Sequence, residues 1–239
     1  MAQPSYAPAF PHDPITEIFP NVYFVHGSIK IGPGLRMNRN MVIIKQESDL
    51  TLINPVRIND NELKNLDQLG TVKHVIRLGD FHGLDDQFYI DRYQAQFWSQ
   101  HGHETYKELI PHQIISAQTK PPIHNSDFFI FETAKYPEAA LLIQPLRLLI
   151  TTDSVQYWSD WSYFTPATKL IVKLMGFRLG LLIGGPWLKR VTPKGKSLQQ
   201  DFAKLLTLDF DSLVSAHGAP LKSGAKQELT AVIKKTFNL

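Results

Sequence analysis

Three segments carry histidine or carboxylate side chains just beyond stretches that read as β-strands, and these residues have the types that acid–base and ligand chemistry need. The first, residues 78–86 (LGDFHGLDD), contains Asp80, His82, Asp85 and Asp86. The second, residues 148–156 (LLITTDSVQ), ends its apolar run at Asp153, and the third, residues 213–220 (LVSAHGAP), ends at His217. Imidazole titrates near neutral pH and carboxylates accept protons and hydrogen bonds, so such groups gathered at a sheet rim suit general acid–base work or the fixing of a polar ligand. Structural duties compete for the same residues. Asp80, Asp85 and Asp86 stand where carboxylates cap a helix beginning near Phe88, Asp153 can cap the helix after it, and His82 can be a buried imidazole bonded to backbone.

Other routes to catalysis are narrower. The chain has no cysteine, which excludes thiolate nucleophiles, thiolate metal sites and disulfides. Ser154 lies beside Asp153, but the G-x-S-x-G elbow of serine hydrolases is absent. His101 and His103 read as an exposed turn, because no further ligand type accompanies them except Glu104. Residues 157–164 (YWSDWSYF) bring Trp158 and Trp161 close behind Asp153, either as core packing or as the roof of a pocket.

The elements that must position these residues follow from apolar periodicity. Residues 18–25, 41–45 and 50–53 read as an opening antiparallel set, with a turn at Gly32, Pro33 and Gly34. Residues 59–69 carry Leu63, Leu66 and Leu69 at helical spacing, begin at the capping residues Asn59 and Asp60, and end at Gly70. A strand over 72–78 precedes an aromatic stripe that predicts a helix over 88–101. Residues 128–131, 140–143 and 148–151 are spaced as a β-meander, helices are predicted over 168–183 and 197–206, a strand over 213–216, and a closing helix over 223–237 capped by Ser223. Residues 170–190 mix apolar side chains with Lys173, Arg178, Lys189 and Arg190, which suits packing on the body better than a membrane-surface helix. Two mixed sheets packed face to face with helices outside satisfy this order, and a doubly wound α/β fold is the alternative.

With 239 residues, 43% apolar and 20% charged, the chain is expected to form one large domain over 15–239, preceded by a Pro-rich extended arm over 1–14. The formal charge of +3 comes without a Lys/Arg block, so nucleic acid is not an implied partner. No signal peptide and no membrane span is read, which makes a reducing cytoplasm the expected location and leaves a homo-oligomer open.

In order and spacing the three rim segments resemble the metallo-β-lactamase-fold superfamily, from about Ile18 to the carboxyl terminus. Residues 78–86 occupy the place of its HxHxDH ligand loop, with Asp153 on the bridging aspartate and His217 on the last histidine. With His82 on the second histidine, Asp80 falls on the first, Leu84 on the aspartate and Asp85 on the final histidine. With Asp86 on the motif aspartate, His82 takes the first histidine and Leu84 and Gln87 stand where histidines belong. Neither frame restores the motif, and no histidine lies between His124 and His217.

The resemblance implies a four-layer αββα sandwich, α/β in class, with at most one divalent ion, Zn²⁺, Fe²⁺ or Mn²⁺, held by His82, Asp85 or Asp86, Asp153 and His217. Asp86 and Asp153 are the implied catalytic carboxylates, and Asp80, Trp158 and Trp161 are expected at the substrate pocket. The implied activity is hydrolysis of a small ester, lactone, amide or phosphoester. The alternative is a non-catalytic descendant that binds a small ligand or a protein partner without metal.

Overall fold

Alternation along a strand sends successive side chains to opposite faces, and the opening strands are apolar on both. The computed structural model describes residues 6–106 and 108–239, so residues 1–5 of the expected arm lie outside the described residues. The first half comprises β1 (Thr16–Phe19), β2 (Val22–Gly32), β3 (Leu35–Gln46), β4 (Asp49–Ile53), α1 (Asp60–Leu69), β5 (Thr71–Ile76), α2 (Asp86–Tyr93), β6 (Gln96–Ser99) and β7 (Gln113–Ile114). These strands form one seven-stranded sheet in sequence order, antiparallel from β1 to β4 and parallel from β4 to β7. The change of direction coincides with the helical crossovers α1 and α2, which parallel pairing requires.

The second half comprises β8 (Ser126–Ile130), β9 (Ala139–Ile143), β10 (Leu148–Thr151), β11 (Val155–Trp158), α3 (Pro166–Leu174), β12 (Gly180–Ile183), α4 (Gly185–Val191), α5 (Gln199–Leu205), β13 (Ser212–Ser215) and α6 (Ala225–Phe237). The meander β8, β9 and β10 is antiparallel, and β13 returns parallel to β10 to complete a sheet in the order β13-β10-β9-β8. β11 and β12 form a separate antiparallel pair.

Val22, Phe24, Val42, Ile44, Ile53 and Ile76 meet Phe128, Leu141, Ile143, Leu148, Ile150 and Val214 in the core between the two large sheets. The opposite face of the first sheet, with Val25, Met41, Ile43, Leu50 and Leu52, packs under Leu63 and Leu66 of α1 and Phe88 and Tyr89 of α2. Ala140, Leu142, Leu149 and Leu213 do the same for the second sheet under Trp187, Phe202, Leu229 and Ile233 of α4, α5 and α6. The layers therefore run helix, sheet, sheet, helix, and each fully buried large side chain contributes about 1.5–3 kcal/mol. Two mixed sheets with helices outside is the expected architecture, and the doubly wound alternative is excluded.

Two long helices of the sequence reading break in the middle. The stripe over 88–101 is helical only to Tyr93, turns at Gln94 in a left-handed conformation (φ 54°), and continues as β6 with Phe97 and Trp98 on opposite faces. Adjacent aromatics fit a strand as well as a helical stripe, and pairing with β5 decides between them. The stretch over 168–183 ends its helix at Leu174 and becomes β12, drawn into pairing by β11. α4, with Pro186 in its first turn, was not foreseen, and α6 starts at Ala225 behind Gly224 rather than at a Ser223 cap.

Residues 6–14 lie against the body. The Tyr6 hydroxyl donates to Asp91, Ser28 Oγ to the Pro11 carbonyl, and the Asn59 amide to His12 Nε2. Among the described residues no helix is long and apolar enough to cross a membrane.

Candidate metal centre

All three candidate segments leave the carboxyl ends of strands at one rim. His82 follows β5 of the first sheet, and Asp153 and His217 follow β10 and β13, which are parallel neighbours in the second. The two halves are joined there by backbone bonds: the Ala139 amide donates to the Leu78 carbonyl at 2.8 Å, Asp80 to Pro137 at 3.2 Å, and Asn40 to Ala216 at 2.8 Å. His82 Nε2 lies 3.1 Å from Asp153 Oδ2, and His217 Nε2 lies 3.2 Å from Asp153 Oδ1. The two rings are 5.0 Å apart, and one ligand atom from each residue falls within 4.8 Å of the others. All three side chains are buried.

Local sequence explains how they are held. Asn38, Arg39 and Asn40 interrupt the apolar run of β3 with three buried polar side chains. Asn38 Oδ1 accepts from the Gly218 amide, and Asn40 Nδ2 donates to the carbonyls of Ser215 and Gly218, so β3 pins the loop that carries His217. Gly218 has φ 76°, and a Cβ there would stand 2.0 Å from the Tyr157 carbonyl oxygen, so only glycine fits. Trp158 stacks behind His217 with ring centroids 6.1 Å apart and 19° between planes, and Trp161 packs on Trp158.

The donor chemistry matches a cation. His217 Nδ1 lies 2.8 Å from the Asn38 carbonyl, which only accepts, so Nδ1 carries hydrogen and Nε2 faces the carboxylate. Burial, against the pull of Asp153, pushes His82 down to about 4, leaving it neutral at neutral pH, and its Nδ1 has no partner. Burial works against ionisation of Asp153, yet His82 and His217 hold its carboxyl below the usual range, and Oδ2 makes no hydrogen bond. A divalent ion needs deprotonated ligands, and a ligating histidine commonly donates its other N–H to a backbone carbonyl, as His217 does. His82, Asp153 and His217 therefore fit such an ion.

The remaining expected residues stand elsewhere. Asp85 Oδ2 pairs with Arg39 Nη1 at 3.0 Å, and Asp86 Oδ2 with Arg77 Nε at 2.6 Å; both pairs are buried, and neither aspartate joins the 4.8 Å group. Asp85 occupies the cap position of α2 without a side-chain capping bond. Asp80 accepts from the Glu104 and Thr105 amides and from the Thr105 hydroxyl; burial opposes its ionisation, but His103 and these donors hold it well below the usual carboxylate range.

Three residues beside the centre were not singled out from sequence. Gln156 Nε2 donates to Asp153 and its Oε1 accepts from Trp158 Nε1. Arg39 borders the same cavity as the histidines. Glu138, wholly buried, accepts from the Ser154 amide and the Thr152 hydroxyl. The polar run of residues 38–40 inside an apolar strand was the one legible signal, since buried polar side chains call for partners.

Burial first, and then the nearby Asp153 charge, push Glu138 up to about 8. Its folded pKa exceeds the ordinary value of about 4.3, so protonation favours the folded state at low pH and stability falls as pH rises from about 4.3 through 8. Glu138→Gln in metal-free protein is expected to exceed the wild type in urea midpoint at pH 8 and to lose that advantage at pH 5. An advantage independent of pH would contradict a buried, neutral Glu138.

A cavity of about 460 Å³ opens onto the three residues. Arg39, Gln156, Phe81, Trp187 and Arg190 border it with apolar side chains from β2, β3 and α3. Asp80 approaches it only through Arg190, 3.4 Å away, and Trp158 and Trp161 lie behind His217 rather than in the wall.

No family model matches the chain, and no curated protein sequence does. Solved structures match over nearly its whole length. VMB-1 is 10% identical with a TM-score of 0.67, covering 93% of this chain and 97% of its own. The metallo-β-lactamase FIM-1 from Pseudomonas aeruginosa, solved in a mono-zinc form, is 8% identical with a TM-score of 0.62, covering 98% and 99%. A metallo-β-lactamase from Pontibacter korlensis is 11% identical with a TM-score of 0.62, covering 94% and 99%.

Proposed function

Because the chain has the metallo-β-lactamase fold, we propose that it is a hydrolase using one divalent metal ion held by His82, Asp153 and His217, with a small ester, lactone, amide or phosphoester as substrate. The observation that carries this reading is the convergence of two imidazoles on one carboxylate in the wall of an open cavity. Three protein ligands with a position left open is the usual arrangement of a catalytic zinc site. A divalent ion supplies Lewis acidity, which polarises an acyl or phosphoryl oxygen and makes hydroxide available near neutral pH. In ester hydrolysis the oxygen of water bonds to the acyl carbon, the bond to the leaving oxygen breaks, and that oxygen takes up a proton. His82, neutral through burial, binds without first losing a proton, and Gln156 orients Asp153. FIM-1 in its mono-zinc form supports a single ion as a workable occupancy of this fold.

The rival reading, a non-catalytic binder, is favoured by the engagement of Asp85 and Asp86 with arginines, which takes both of these aspartates away from the group of three. Metal analysis separates the two. Protein purified without chelator or immobilised metal is expected to contain close to one equivalent of Zn²⁺, Mn²⁺ or Fe²⁺. Returning the ion to stripped protein at about a hundred times its Kd adds about 2.7 kcal/mol of stability, a rise of about 5–10 °C in Tm. No bound metal and no thermal shift with any of the three ions would overturn the metal site and favour the binder.

A further inference from the structure

The hydrolase reading leaves the substrate class open, and the cavity narrows it: we propose, resting on that reading, that the ligand is a carboxylic acyl compound with a long unbranched aliphatic chain lodged between the β2–β3 hairpin and α3. Ile29, Leu35 and Met37 of the hairpin face Val172 and Met175 of the α3 segment across the space, with Phe177 beside them. The charged and imidazole side chains of the wall are Arg39, Arg190, Asp153, His82 and His217. A polar or many-hydroxylated ligand would leave its groups unpaired against the apolar walls, whereas methylenes lose nothing there and gain burial. Two methionines with flexible thioethers allow the walls to adapt to a linear chain.

Two further features agree. Arg39 is buried, borders the cavity with the metal group, and has an Nε without a hydrogen-bond partner, so a cation stands at the inner wall where the acyl head would lie. Apolar lining also continues to the surface: Ile31, Ile171 and Met175 belong to the wall and are 50%, 41% and 52% exposed. The cavity is thus apolar at its mouth and between the hairpin and α3, and about 460 Å³ lies within the range of small-molecule sites.

Calorimetric titration of the metal-free chain with butanoate, octanoate and dodecanoate tests the tail site apart from catalysis. Binding is expected to tighten by up to about fourfold per added methylene. Ile171→Asp and Met175→Asp, both at partly exposed positions, are expected to flatten that dependence while circular dichroism stays unchanged. Equal affinities for butanoate and dodecanoate, or an undiminished chain-length dependence in both variants, would overturn the proposal. The metal-loaded chain is then assayed on 4-nitrophenyl acetate, octanoate and dodecanoate. Chain-length-dependent binding without turnover of any ester supports the tail site and counts against the hydrolase reading alone.

Discussion

On the proposed centre, Asp153→Ala and His217→Ala are each expected to lower divalent-metal affinity by more than about a hundredfold, since even residues that merely orient ligands cost about 10–100-fold when removed. Asp153 is the carboxylate both imidazoles face, and His217 is the ring fixed by the Asn38 carbonyl. Under the proposed hydrolase function, metal-dependent ester turnover is expected to fall with occupancy in both variants. Folding survives: removing a partner from a buried polar group costs about 1–3 kcal/mol, against a total of about 5–15 kcal/mol. Metal content by mass spectrometry after dialysis, with circular dichroism on the same samples, reads the two effects separately. Retained uptake by both variants would dismantle the assignment of the centre.

Arg77→Met destabilises the chain by about 3–5 kcal/mol, because it leaves the Asp86 carboxylate buried without a counter-charge. Arg77 Nε bonds Asp86, Nη1 donates to the Tyr106 carbonyl at 3.2 Å, and the guanidinium lies 5.1 Å from the centre of the Phe97 ring, so the side chain ties the first residue of α2 and the loop after β6 to the first sheet. Burial raises the Asp86 pKa, with Arg77 working against it. Without Arg77 the carboxyl is pushed further toward its neutral form, and a raised folded pKa means stability present at low pH and lost as pH rises. The deficit of Arg77→Met is therefore expected to be smaller at pH 4 than at pH 7.5. The double variant Arg77→Met with Asp86→Leu should recover most of the loss, as apolar replacements of buried ion pairs often do. Urea denaturation of the single and double variants checks both points, and a double variant no better than the single one would assign the cost to lost packing.

Much of the scaffold could be read from periodicity, because it registers which faces are buried. Apolar, β-branched and aromatic runs in residues 18–25 and 41–45 read as strands, and Asn59, Leu63, Leu66 and Gly70 bounded α1. Periodicity failed where a segment is too short to distinguish a strand from a turn of helix. Gln96–Ser99 and Gly180–Ile183 became strands because β5 and β11 offered hydrogen-bonding edges, and those partners belong to other parts of the chain. The polar run Asn38 to Asn40 was visible in sequence, but its purpose depends on residues nearly 180 positions away.

Sequence by itself determined that imidazole and carboxylate groups follow three strands, since strand patterns and the loops after them are local properties. It did not determine which carboxylates meet the histidines. Asp80, Asp85 and Asp86 share one loop with His82, and each finds its partner through the tertiary fold: Asp80 the amides of Glu104 and Thr105, Asp85 the guanidinium of Arg39, and Asp86 that of Arg77. A buried carboxylate must be neutralised by whatever charge or donor the packing brings within reach, and that depends on how distant segments are assembled. Asp153 was left for His82 and His217 because β10 lies beside β13 at the rim where β5 ends, a placement that only the packing of the two sheets produces.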